Sequence, residues 1–219
     1  LILRPSPNFD ARPGGVDVLV LHYTGMQTGA AALERLCDPA ARVSAHYLVE
    51  EDGTIYRLVE EQQRAWHAGV SFWRGARGLN DSSIGIEIVN PGHEWGYRAF
   101  LPEQMAAVAS LCQGLLARHA IPARNIVAHS DIAPDRKQDP GELFDWRFLA
   151  GQGVGLWTDE FLAPGDLTED LAAIGYDTSA SQVITAFQRR YLPGHLTGAA
   201  DTPTRARAAA VRAMVDRAA

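Results

Sequence analysis

The chain has 219 residues, 47% of them hydrophobic and 21% charged, with a net charge of −6. That length accommodates one good core plus a small appendage, and the balance is ordinary for a globular protein. The acid excess argues against a nucleic-acid partner held by a basic face, and no run approaches the roughly 18 unbroken apolar residues that a membrane helix needs.

Residues 1–16 are rich in Pro and Gly and are expected to wrap the surface. Residues 16–24 read as the first strand, apolar on both faces as a central strand is. A turn at 25–29 leads to a short helix at 30–37, stopped by Asp38-Pro39. Residues 43–50 and 54–59 form an antiparallel hairpin about Glu51-Asp52-Gly53, a turn signal. Residues 66–80 show no clear period and are expected as a long loop, a type that is usually functional. Residues 84–90 are the next strand, where Ile84, Ile86 and Ile88 alternate with Gly85, Glu87 and Val89. Glu87 is therefore a carboxylate inside an apolar strand; a structural ion pair with Arg57 or Arg77 is the plain alternative.

The best helix spans residues 102–120. Pro102 suits its first turn, Glu103 complements its dipole, and Met105, Val108, Leu111, Cys112 and Leu115 make one stripe. A short strand, Ile126-Val127-Ala128, runs into His129, and residues 143–149 suggest a short helical piece. The texture changes near Pro164. Helical patterns at 167–174, 181–191 and 202–218 describe a small module that is short for independent folding. The expected architecture is α/β: a mixed β-sheet flanked by helices over residues 1–160, with a small C-terminal helical module at 165–219.

Chemistry-bearing residues concentrate from His129 to Gly141. One imidazole, the carboxylates of Asp131, Asp135 and Asp139, and Lys137 fall on a backbone stiffened by two prolines and a glycine. The first strand ends similarly, at His22. Two strand-end histidines and a loop carboxylate with an open fourth position make a standard catalytic zinc set. Spacing alone does not choose among the three aspartates.

The motifs Leu21-His22-Tyr23-Thr24, Ser44-Ala45-His46-Tyr47, Ala65-Trp66-His67-Ala68-Gly69, Ser83-Ile84-Gly85-Ile86-Glu87 and the 129–141 loop occur in the order found in the type 2 amidases, which this chain resembles over residues 16–157. These are zinc-dependent N-acetylmuramoyl-L-alanine amidases. The resemblance implies that Zn2+ is held by His22, His129 and Asp139, with Glu87 as general base and Lys137 stabilising the transition state. It also implies a substrate cleft shaped by His46, Trp66, His67 and Trp73. Phe72 and Trp95 also suit sugar stacking, although core packing explains an aromatic equally well.

The tail resembles a three-helix peptidoglycan-binding domain through Gly175-Tyr176, Ala186-Phe187-Gln188-Arg189 and Gly198, Asp201 and Thr204. It is short for one, so packing on the amidase portion or lengthening its cleft are alternatives. The expected partner is peptidoglycan or a muropeptide, acted on by a monomer. A non-catalytic recognition module and a metallopeptidase on the same scaffold are the competing readings. Cys37 and Cys112 have no metal-type spacing and read as buried free thiols, which with no visible export signal favours the cytoplasm. An envelope location is the alternative if such a signal has been removed.

Overall fold

The computed structural model describes residues 1–217. Its elements begin with β1 (Ile2–Leu3), β2 (Phe9–Ala11), β3 (Val18–Tyr23), α1 (Gly29–Cys37), β4 (Tyr47–Val49), β5 (Ile55–Arg57) and β6 (Gln63–Ala65). They continue with β7 (Phe72–Trp73), β8 (Ala76–Arg77), β9 (Ser83–Ile88), α2 (Gly92–Trp95), α3 (Pro102–Arg118), β10 (Ile126–Ala128), α4 (His129–Ile132) and α5 (Trp146–Gly151). Three C-terminal helices follow, α6 (Leu167–Ile174), α7 (Val183–Tyr191) and α8 (Thr202–Arg217). Ala218, the last residue of the third helical pattern, lies outside the described residues.

Six strands form one mixed sheet in the order β1-β5-β4-β9-β3-β10. Only the β4–β5 hairpin is antiparallel; β4, β9, β3 and β10 run parallel, with β10 at the edge. Strand alternation sorts the core into two sides. Leu19, Leu21, Ile84, Ile86, Ile88, Ile126 and Ala128 face α3, whose Met105, Val108, Leu111, Cys112 and Leu115 are the buried stripe expected from its period. The opposite set, Val18, Val20 and Val127, meets the C-terminal helices through Leu171, Ile174, Phe187 and Val211. Phe187 is completely buried there, a contribution of roughly 1.5–3 kcal/mol. Leu48 packs on that same side with Ala32 and Leu36 of α1.

The C-terminal helices thus cover one end of this face and α1 covers the other. Between them lies the cleft, into which Glu87 faces and on whose floor His67 covers Gly85 and His22.

Two expectations need correcting. The N-terminal residues do more than wrap the surface: β1 adds a parallel edge strand, and β2 pairs antiparallel with β6. Arg4 and Ser6 donate N–H groups to the carbonyls of Arg57 and Leu58. Pro5 and Pro7 fall at the alternate positions, where an edge strand needs no donor. The 66–80 loop contains the β7–β8 hairpin, which Arg74 ties to α6 through the carbonyls of Ala173 and Ile174. Both cysteines are free, Cys112 buried and Cys37 partly exposed. No helix among the described residues is long and apolar enough to cross a membrane.

Candidate active site

His22, Glu87 and His129 all sit at the carboxyl ends of adjacent parallel strands, where open α/β sheets place their ligands. His22 lies directly opposite Glu87 in the β3–β9 register, and His129 follows the last residue of β10. Asp139 returns on the loop beyond α4, held by a bond from the Ser130 N–H to its carbonyl at 2.9 Å.

Three side-chain atoms converge. His22 Nδ1 lies 2.9 Å from His129 Nδ1, and each lies 3.0 Å from Asp139 Oδ2. All three residues are buried, and among the described residues they form the one group of this kind suited to a metal ion. The surrounding hydrogen bonds decide where the imidazole protons are. Ser83 Oγ donates to the Leu79 carbonyl at 2.5 Å, so it accepts from His67 Nε2 at 3.1 Å. That leaves His67 Nδ1 bare to accept from His22 Nε2 at 3.0 Å. The Nε2 of His129 faces the Ala68 carbonyl, which can only accept, at 3.2 Å.

Both Nδ1 atoms therefore carry lone pairs, aimed at each other and at a carboxylate oxygen. Three electron-rich atoms this close repel unless a cation lies among them, so the donor set fits a divalent metal. Burial, and then the nearby His129, pull the His22 pKa down to about 4, keeping the imidazole neutral and available as a ligand.

Glu87 faces the same space. Its Oε2 is buried and has no hydrogen-bond partner. Burial, reinforced by the Asp139 charge, pushes its pKa well above the ordinary glutamate value, while Lys137 acts in the opposite direction. The structural ion-pair alternative fails, because Arg57 pairs with Glu60 and Arg77 approaches Asp177. Lys137 lines the cleft, and its ammonium has no hydrogen bond or ion pair among the described residues. The cleft encloses about 390 Å³, bounded by Ala32, Arg35 and Leu36 of α1 on one side and residues 136–139 on the other.

Of the four residues expected to shape the cleft, Trp66 and His67 line it. His67 also orients His22, and it fits only because residue 85 is glycine: a Cβ there would stand 2.4 Å from the His67 ring. His46 and Trp73 require correction. His46 is fully buried, accepts the Gly85 N–H at Nδ1, and acts on the backbone of β9 rather than on a ligand. Trp73 is 3% exposed, its ring packed edge-on against Tyr176 at 5.1 Å, so it joins the hairpin to the C-terminal helices. Trp95, by contrast, is half exposed on α2.

Sequence reasoning missed the second role of the 129–141 loop. Asp131 caps α4 by accepting the Ala128 N–H at 2.8 Å. It also takes Tyr176 Oη at 2.7 Å and Arg190 Nη1 at 2.6 Å, both from the C-terminal region. Asp131 and Arg190 are almost completely buried. Arg190 adds a bond to the Ile126 carbonyl and lies 4.1 Å over the Trp146 ring. Also unforeseen is a string beside the cleft, in which Tyr23 Oη meets His93 Nδ1 at 3.0 Å and His93 Nε2 meets Glu142 at 3.1 Å. For the close approach of His67, the visible hint was Gly85 inside a strand, which signals another group packed against it.

The family described as N-acetylmuramoyl-L-alanine amidase (Amidase_2) matches residues 11–142. The chain is 42% identical to N-acetylmuramoyl-L-alanine amidase AmiD of Escherichia coli K12, over 90% of this chain and 82% of that protein. It is 37% identical to 1,6-anhydro-N-acetylmuramyl-L-alanine amidase AmpD of Citrobacter freundii, over 67% of this chain and 87% of the relative. The solved E. coli AmiD in complex with anhydro-N-acetylmuramic acid-L-Ala-D-γ-Glu-L-Lys superposes with a TM-score of 0.82 at 39% identity, covering 94% of this chain and 92% of that one.

Proposed function

The chain belongs to the type 2 N-acetylmuramoyl-L-alanine amidase family, and from that premise we propose that it works as a zinc hydrolase through His22, His129, Asp139, Glu87 and Lys137. It cleaves the amide between N-acetylmuramic acid and L-alanine in (anhydro)muropeptides, in cell-wall turnover or recycling. The observation that carries the metal reading is the triangle of two bare Nδ1 atoms and one carboxylate oxygen, with edges of 2.9 to 3.0 Å. Zinc suits two imidazoles and a carboxylate with a fourth position open.

When bound, the cation supplies a Lewis acid that brings the pKa of a water to about 7 and polarises a carbonyl. Glu87 takes the proton of the attacking water at its unsatisfied carboxylate and returns it to the departing nitrogen. Lys137, with no fixed partner, brings its ammonium to the carbonyl oxygen as negative charge builds there. His67 and the Ala68 carbonyl hold the two imidazoles in the tautomer that leaves Nδ1 free. Trp66 gives the cleft an aromatic wall suited to a sugar face. In this reading residues 1–160 carry the chemistry and the helices beyond 165 support and extend the cleft.

Product analysis tests the proposal. Zinc-loaded protein given an anhydromuropeptide should release an intact peptide with a free L-alanine amino terminus. Cleavage within the peptide would make it a metallopeptidase. Binding without any cleavage would make it a recognition module.

A further inference from the structure

A second cavity of about 250 Å³ adjoins the cleft and is built jointly by the two parts of the chain. One wall is the 134–138 loop, from which Arg136, Lys137 and Gln138 line both spaces. The other is one face of α7, through its N-cap Gln182, Thr185 and, in its last turn, Arg189. In a chain of net charge −6 this small volume is lined by three cations and one carboxylate. That carboxylate, Asp135, is already engaged by Ser181 Oγ at 2.9 Å and the Gln182 N–H at 2.8 Å. Arg189 gives only its Nε, at 3.3 Å, to Glu142, which His93 also approaches. The Arg189 Nη groups have no partner among the described residues, so the cavity offers unspent donors to an anion.

The chemistry of the substrate says which anion. In a muropeptide the lactyl carboxyl of the sugar is consumed in the scissile amide, so the sugar carries no charge. Negative charge is confined to the peptide. In anhydro-N-acetylmuramic acid-L-Ala-D-γ-Glu-L-Lys, the compound bound by the solved relative, it sits on the α-carboxylate that the γ-linkage leaves free and on the terminal carboxylate. We infer that the cavity between the 134–138 loop and α7 is a subsite for a free carboxylate of the stem peptide, read by Arg189 of the C-terminal helices. The inference rests on the amidase reading and names the part of the substrate that the tail recognises.

The test compares the zinc-loaded full chain with Arg189→Gln on four substrates: the tripeptide compound, its γ-Glu α-carboxamide, its terminal carboxamide, and the form ending at L-Ala. Arg189→Gln should lower kcat/KM on the tripeptide compound about tenfold relative to the L-Ala form, through KM, as loss of a charged hydrogen bond does. The effect should vanish on whichever carboxamide has lost the recognised carboxylate, which identifies the source. Thr185→Glu, which sets a carboxylate four positions before Arg189 in the same cavity wall, should reproduce the loss, and the exposed Arg217→Gln should not. Calorimetric binding to zinc-loaded Glu87→Gln protein reads the same contact without turnover, so a failure of catalysis and a failure of the subsite are separable. An equal loss on all four substrates, or no loss on any, overturns the inference.

Discussion

Asp131, in α4, and Asp139, on the loop that follows, stand eight positions apart, both buried, and they have opposite electrostatic surroundings. Asp131 meets a permanent guanidinium, a phenol and a backbone N–H. Asp139 meets only two imidazoles, one of them held neutral by burial. A buried carboxylate with a fixed cation closes its own charge balance and serves as structure. One placed among bare lone pairs leaves that balance to be completed by an ion. Glu87 belongs with Asp139, since its Oε2 is buried and has no hydrogen-bond partner. The lesson is a separation of roles: changes at the cleft should cost activity with little stability, and changes at the Asp131–Arg190 clamp should do the reverse.

The largest expected effect is on rate. Glu87→Gln should lower kcat by about 10²–10⁴ while zinc content stays at the wild-type level. Denaturant unfolding should show equal or higher stability, because an unpartnered buried carboxylate has been removed. A variant that is destabilised yet active would break the comparison at its first point.

Next comes the clamp. Arg190→Met leaves Asp131 buried without its cation and should cost about 3–5 kcal/mol in urea unfolding of the metal-free protein. Adding Asp131→Asn should recover part of that loss, since the orphaned charge is then gone. If the single and double variants unfold alike, the pair is not the source of the stability.

His67→Ala removes the acceptor that fixes the His22 tautomer and should weaken zinc binding by about 10–100-fold, read by competition with a chelating dye. Ser83→Ala, one step further out, should act in the same direction but less. Unchanged affinity in both would show that the relay has no hold on the metal site.

Acid should act through the buried histidines around the cleft. Burial foremost depresses the pKa of His22 to about 4 and of His46 to about 3, against 6.5 for a free imidazole. As pH falls, the unfolded chain takes up these protons first. In metal-free protein this contribution is intact above pH 6.5 and is lost progressively from there down to about pH 3. The expected slope is about 1.4 kcal/mol per pH unit for each histidine, and His46→Gln should reduce it. Stability that stays flat between pH 6.5 and 4.5 would contradict the buried neutral histidines.

Much of this was legible in the sequence because its causes are local. The apolar run of β3, the stripe on α3 and the order of the histidine motifs each follow from short-range pattern. The choice of Asp139 came from family resemblance, and the convergence of donor atoms now gives it a physical basis. What stayed hidden depends on partners distant in sequence. Arg190 resembles a solvated helix arginine until Asp131, 59 positions away, is placed beneath it. Its company with Ala186 and Phe187 at helical spacing was the only hint of a buried face. Trp73 and His46 carried the right chemistry for a cleft but were claimed by packing and by the β9 backbone. The N-terminal strands were masked by prolines that the edge register tolerates.

The central claim is that the lone pairs of His22, His129 and Asp139 await a cation that makes the cleft a hydrolase. Zinc content and peptide release, measured together on one preparation, test it most directly. Protein purified without chelator should carry about one zinc per chain and release L-alanine-terminated peptide; chelation should abolish release, and added zinc should restore it. His129→Ala, folded by circular dichroism, should hold little zinc and release none. Undiminished release by protein shown to be metal-free would contradict the account.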